Sequence, residues 1–112
     1  MIEVRSPLEI RADSHSGWQL TFWVLDAFND ATPFRTMLAD IASALGQDAK
    51  TDLLLPAYEA GEDFVEGSLK FGGVPLRTYY EHSLSYLALM SDNESVLRDA
   101  AARIQPYVAI IP

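Results

Sequence analysis

The residues best suited to acid–base chemistry in this sequence are a neighbouring glutamate and histidine, Glu81 and His82, in the stretch YYEHSLSY. A glutamate can orient a histidine that acts as a general base, provided that their side chains are within hydrogen-bond reach. Both residues end a strand-like run, and neighbouring side chains on a strand point to opposite faces. We therefore expect His82 to lie at the rim of the core, on the side of Tyr80, and Glu81 to lie on the surface.

Other catalytic, metal or cofactor sites find little support in the sequence. The second histidine, His15, lies in a turn, and no other histidine is at a metal-ligand spacing from it. No serine stands in a G-x-S-x-G nucleophile elbow, and no glycine-rich turn leads to the lysine–hydroxyl pair of a phosphate cradle. The chain has no cysteine, which excludes disulfides and thiolate ligands. We expect no catalytic residue, metal or cofactor, and a protein that is not an enzyme.

Size and charge point to one small acidic domain. The chain has 112 residues, of which 49% are hydrophobic and 21% are charged, which favours a single packed domain over residues 1–112. Its net charge is −8, so phosphate backbones are repelled and a basic protein would be attracted. Surface acidity that serves only solubility is the alternative. No run approaches the ~18 apolar residues of a membrane span, and the N-terminus lacks a signal-peptide pattern, so a cytoplasmic protein is expected.

Several segments show the apolar–polar alternation of β-strands. Residues 2–12 alternate almost throughout, and Pro7 within them indicates an edge position or a bulge. Residues 18–25 alternate too, but their second face is only half polar, which predicts a central strand or one that exposes Trp23. Residues 53–55 are expected to form a short strand or a buried anchor, and residues 85–91 a further strand. The C-terminal tail either adds a short strand or packs under the sheet.

Two helices are predicted from capping signals and helical spacing. The first has Thr32 as its N-cap, Pro33 as its first residue and Gly46 as its C-terminal stop. The second is capped by Asp92 or Asn93 and runs to about residue 104. Apolar residues recur at helical spacing along both segments, so each helix should bury one face.

A β-hairpin with a defined register is predicted around Gly72-Gly73, a pair that tolerates positive φ at both positions. Folding about this turn gives two faces. On the apolar face, the pairs are Phe71 with Val74, Leu69 with Leu76, Gly67 with Thr78 and Val65 with Tyr80. On the mixed polar face, the pairs are Lys70 with Pro75, Ser68 with Arg77, Glu66 with Tyr79 and Phe64 with Glu81. The fold class expected is therefore α+β, a single antiparallel β-sheet of about five or six strands with two α-helices packed on one face.

The mixed polar face of this hairpin is the candidate surface for a partner. It lies next to an acidic loop, in a run from Thr51 to Leu69 that has five acids and no base. Aromatic residues among carboxylates suit a surface that binds a basic protein. The alternative is that the aromatic residues lie beneath another element and that the acids are ordinary solvated residues. The candidate partner-binding residues are Glu59, Glu62, Asp63, Phe64, Glu66, Arg77, Tyr79 and Glu81.

The stretches DFVEGSLKFGG and YYEHSLSYL, followed by a capped terminal helix, resemble small bacterial immunity proteins of toxin–immunity systems, particularly those of contact-dependent growth inhibition. The resemblance implies an acidic α+β domain with a curved sheet that stoichiometrically neutralises a basic nuclease toxin domain by covering its active site. The acidic net charge and the lack of a long apolar run, in turn, predict no direct contact with nucleic acid or membrane. The alternative is a self-associating structural or regulatory domain, a homodimer formed through a sheet edge, Trp23 and residues 108–111.

Overall fold

The computed structural model describes residues 2–13, 17–24 and 33–111. These residues form a six-stranded antiparallel sheet with two α-helices on one face, as the sequence predicted, and a separate two-stranded parallel sheet. The strands are β1 (Ile2–Val4), β2 (Glu9–Ala12), β3 (Trp18–Trp23), β4 (Leu53–Leu54), β5 (Phe64–Phe71), β6 (Val74–Glu81), β7 (Tyr86–Ser91) and β8 (Val108–Ile110), and the helices are α1 (Pro33–Ala44) and α2 (Glu94–Ile104).

The main sheet has the strand order β2-β3-β7-β6-β5-β4. The β5–β6 hairpin has the predicted register in every pair, from Phe71 opposite Val74 to Phe64 opposite Glu81. Its turn residues Gly72 and Gly73 have φ values of +61° and +78°, the left-handed region that favours glycine. Strand β7 lies between β3 and β6, so the hairpin and the N-terminal strands become parts of one continuous surface.

The N-terminal segment departs from the single strand that its alternation predicted. It divides at a bend over Arg5 and Ser6, just before Pro7, into β1 and β2. Strand β1 pairs in parallel with β8, with Ile2 opposite Val108, whereas β2 forms the edge of the main sheet beside β3. Alternation reports which side chains are buried, but it does not report which strand each half pairs with, and Pro7 cannot donate a ladder hydrogen bond.

The helices end and begin where their capping residues indicate. Gly46 has a φ of +75°, its N–H bonds to the carbonyl of Ser43 and the N–H of Gln47 bonds to that of Ala42, which is a Schellman motif. Asn93 caps α2 by accepting a hydrogen bond from the N–H of Ser95 at 3.0 Å. The predicted cap Thr32 lies outside the described residues.

The core lies between the helices and one face of the main sheet. Fully buried side chains from α1 and α2 meet those of alternate residues on β3, β5, β6 and β7. Among the described residues, no helix is long and apolar enough to cross a membrane. The largest fully buried side chains are those of Tyr80, Phe22, Phe34, Leu20, Leu38, Ile41, Leu69, Leu76, Leu87, Leu89, Leu97 and Ile104.

Candidate functional site on the open face of the sheet

The face of the main sheet opposite the helices, here called the open face, carries a row of aromatic side chains. Trp23 pairs with Tyr86 across β3 and β7, and Tyr79 lies on the neighbouring strand β6. The ring centroids of Trp23 and Tyr86 are 4.8 Å apart, and those of Tyr79 and Tyr86 are 6.2 Å apart. Beneath this row, Ala88 is completely buried although it faces away from the helices. The aromatic row is therefore packed on the sheet surface.

Carboxylates surround the Tyr79 end of this row. The Tyr79 hydroxyl donates a hydrogen bond to the Glu81 carboxylate, and Glu66 lies directly opposite Tyr79 on β5. The hydrogen bond to Glu81, together with burial and the negative charges of Glu81, Asp63 and Glu66, raises the pKa of Tyr79 to about 12. Tyr79 is thus a neutral phenol at physiological pH, and three carboxylates contribute negative potential around it.

Asp63 has a structural contact in addition to its charge. Its carboxylate accepts hydrogen bonds from the Ser83 N–H at 2.8 Å and from the Ser83 hydroxyl at 3.2 Å, and its carbonyl accepts one from the His82 N–H. These bonds hold the short 3₁₀ turn after β6 against the start of β5. Within the described ranges, no lysine or arginine forms a salt bridge with Asp63, Glu66 or Glu81. Their charges are available to a partner.

Glu62, which belongs to the predicted partner surface, is partly buried and bound by other side chains of this protein. Its carboxylate accepts two hydrogen bonds from Arg35, at 3.0 and 3.1 Å, and one from the Tyr80 hydroxyl at 2.6 Å. The bonds from Arg35, more than any other contact, hold the pKa of Glu62 below its ordinary value, whereas burial and the bond to Glu62 raise the pKa of Tyr80. Arg35 compensates the charge of Glu62, which therefore anchors the loop and α1 to β6.

The other predicted partner residues lie at the surface. Glu59 is exposed in the loop before β5. Phe64 is 65% exposed at the end of the open face, so no other element among the described residues covers it. Arg77 is exposed, with its guanidinium 3.5 Å from the Asp92 carboxylate. The structure thus brings Asp63, Phe64, Glu66, Tyr79 and Glu81 together around one end of the β5–β6 hairpin.

Glu81 and His82 have different neighbours, as the strand parity predicted. His82 begins the 3₁₀ turn, and its ring packs edge-on against Phe34 with centroids 5.7 Å apart, at the rim of the core. Glu81 accepts the Tyr79 hydroxyl on the open face. In the part of the chain that the structure describes, no three histidine, aspartate or glutamate side chains are gathered so that they could hold a metal ion. His15 lies outside the described residues.

A concave pocket of about 550 Å³ lies on the open face, next to the aromatic row. The Tyr86 hydroxyl donates to the side-chain oxygen of Gln19 at 2.6 Å within it, and burial is the main cause of a raised pKa for Tyr86. The sequence-based site did not include Gln19, Tyr86 or Met90. Their strand parity could have placed them on this face, but only the pairing of β7 with both β3 and β6 brings them beside Tyr79. The lining comprises Asp13, Gln19, Glu66, Gly67, Arg77, Thr78, Tyr79, Tyr86 and Met90.

No protein-family model matches the chain, and no curated protein or solved structure matches it at a significant level. Function is therefore inferred from the geometry and electrostatics of the open face.

Proposed function

We propose that this domain is a stoichiometric protein inhibitor of the immunity type, which binds a basic nuclease toxin domain through its open face. The proposal is carried by one observation: aromatic side chains are packed on the sheet face that the helices leave uncovered, and Asp63, Glu66 and Glu81 lie around them without a lysine or arginine partner among the described residues. Aromatic anchors at the centre of a patch with a polar rim are typical of protein interfaces.

The charge distribution favours a basic protein as the partner. A nuclease domain must attract phosphate and so presents a positive cleft, to which this carboxylate cluster is complementary. The chain's net charge of −8 adds long-range attraction, which mainly accelerates association. Nucleic acid itself would be repelled by the same residues. Inhibition would then consist of occupying the toxin's active-site cleft, with one inhibitor consumed per toxin.

The residues of the open face would have different kinetic roles. Glu66 and Glu81 lie at its rim, where charge mainly affects the association rate and its dependence on salt. Tyr79 is a half-buried aromatic anchor, and truncation of such anchors mainly accelerates dissociation. Arg35 already compensates Glu62, so this glutamate would support the surface without contributing free charge.

Self-association through the C-terminal tail has less support. One edge of β8 already pairs with β1 of the same chain, so a second copy could pair only with its other edge. The molecular mass of the pure protein in solution tests this alternative directly.

The proposed function can be tested with matched charge variants of a tagged protein used as bait in lysate of its source organism. The wild type and Asp99→Lys, which reverses an exposed charge on α2 on the opposite side of the sheet, should both retain a basic protein at a one-to-one ratio. Glu66→Lys should weaken its binding by about tenfold or more, because like charges across an interface are costly. The captured protein should degrade RNA or DNA, and an equimolar amount of this domain should stop it.

Two results would contradict the proposal. One is a captured partner without nuclease activity, or one whose activity persists in excess inhibitor. The other is equal binding by Glu66→Lys and Asp99→Lys, because the interface would then lie elsewhere. In addition, Tyr79→Ala should increase the dissociation rate more than it decreases the association rate, as measured by surface plasmon resonance.

A further inference from the structure

The pocket on the open face has a composition that suits one chemical group. Glu66 supplies a carboxylate, Tyr79 and Tyr86 supply aromatic rings, Gln19 supplies an amide, and Met90 supplies a polarisable apolar surface. Its volume of about 550 Å³ is within the range of small-ligand sites, roughly 300–1,000 Å³. Such a volume accommodates a whole long side chain.

We propose that this pocket binds the guanidinium group of an arginine side chain presented by the partner protein. The inference depends on the proposed function only for the source of that arginine, since the pocket's chemistry is a property of this chain. A planar guanidinium can stack on a tyrosine ring and can form two parallel hydrogen bonds to one carboxylate, whereas a lysine ammonium can only approach as a point charge.

The hydrogen bonds within the pocket leave acceptors for such a group. The Tyr86 hydroxyl donates a hydrogen bond to Gln19, and the Tyr79 hydroxyl donates one to Glu81, so both phenol oxygens keep lone pairs that can accept. The raised pKa values of both tyrosines show that they are neutral and that Tyr79 experiences the charges of Glu81, Asp63 and Glu66. A cation stacked on Tyr79 would meet the negative potential of these three carboxylates.

The cations at and beside the pocket have carboxylate partners of their own. Arg11 lies opposite Gln19 on β2, and its guanidinium is 3.1 Å from the Glu9 carboxylate. Arg77 is exposed, and its guanidinium is 3.5 Å from the Asp92 carboxylate, which compensates its charge. Glu66 has no salt bridge with any lysine or arginine of the described residues. Glu66 is therefore the carboxylate we expect an incoming guanidinium to contact.

The test is an NMR titration of the ¹⁵N-labelled full chain with Nα-acetyl-arginine amide at fixed ionic strength. Saturable shifts are expected for the amides of Gln19, Tyr79, Tyr86 and Met90. The citrulline derivative, which has the same shape without the charge, should give no saturable shift, and the lysine derivative should bind more weakly. Glu66→Gln should weaken arginine binding about fivefold, whereas the matched control Asp99→Asn, on α2, should leave it unchanged.

Three outcomes would overturn the inference: equal shifts from the citrulline derivative, shifts that map to another surface, or unchanged binding by Glu66→Gln. This titration uses no toxin, so its result is separable from the proposed function. Arginine binding without any basic protein partner would support the pocket and contradict the inhibitor proposal. A confirmed toxin partner with no arginine binding would overturn the pocket alone.

Discussion

Replacing Glu62 by alanine should lower the free energy of unfolding by about 3 kcal/mol. The Tyr80 hydroxyl, in a residue that is 2% exposed, would lose its acceptor, at a cost of about 1–3 kcal/mol. Breaking a buried ion pair costs about 3–5 kcal/mol and an exposed one about 0–1 kcal/mol. The Arg35 and Glu62 side chains are 19% and 15% exposed, so we take about 1–2 kcal/mol for this pair.

Urea denaturation of matched variants measures this effect. Glu59→Ala removes an exposed carboxylate from the same loop and should change the stability by less than about 0.5 kcal/mol. A double-mutant cycle that combines Glu62→Ala with Arg35→Met should give a coupling energy of about 1–2 kcal/mol. If Glu62→Ala costs less than about 1 kcal/mol, or if the cycle shows no coupling, the assignment of Glu62 as an internal anchor is wrong.

The same ion pair predicts a dependence of stability on pH. Because folding lowers the pKa of Glu62, its stabilising contribution is fully present above the unfolded-state pKa of about 4.3 and is lost as the pH falls through the lower folded-state pKa. The difference in unfolding free energy between the wild type and Glu62→Gln should therefore be constant near neutral pH and shrink below about pH 4. A difference that stays constant down to pH 2 would contradict this account.

Two further predictions concern the sheet. Gly67→Ala should lower the free energy of unfolding, measured by urea denaturation, by about 2 kcal/mol, because a methyl group at Gly67 would overlap the Leu54 carbonyl and lie 2.6 Å from the Leu55 side chain. Ser68→Ala should lower it by less than about 1 kcal/mol. Equal effects of the two substitutions would refute this account. Glu81→Ala should lower the pKa of Tyr79 from about 12 toward about 10, as followed by ¹³Cζ NMR, whereas an unchanged pKa would show that Glu81 is not the main cause.

Local sequence patterns were sufficient for the elements whose contacts are close in the chain. The Gly72-Gly73 turn fixes which residues of β5 and β6 face each other, and alternation then decides which face is buried. Gly46 similarly ends α1 because the left-handed conformation is accessible to glycine. Such features depend on the preferences of a few neighbouring residues, and a single sequence contains that information.

The candidate site was only half visible in the sequence. The hairpin register placed Glu66, Tyr79 and Glu81 on one face, and the surplus of acids in the preceding loop indicated its charge. Nothing in the local sequence distinguishes Glu62 from Glu59, yet Glu62 is bound by Arg35, 27 residues away. Which acid is compensated depends on where α1 lies, and its position follows from packing across the core.

The sequence by itself determined the class of the fold, the hairpin register, the helix ends and the acidity of the candidate surface, because these follow from composition, side-chain period and capping. The tertiary structure alone decided that β1 pairs with β8, and that β7 lies between β3 and β6. That strand order brings Trp23, Tyr86 and Tyr79 into one row and creates the pocket beside it. Strand order is set by the mutual packing of the whole chain, since any of these strands could satisfy its own alternation beside a different neighbour.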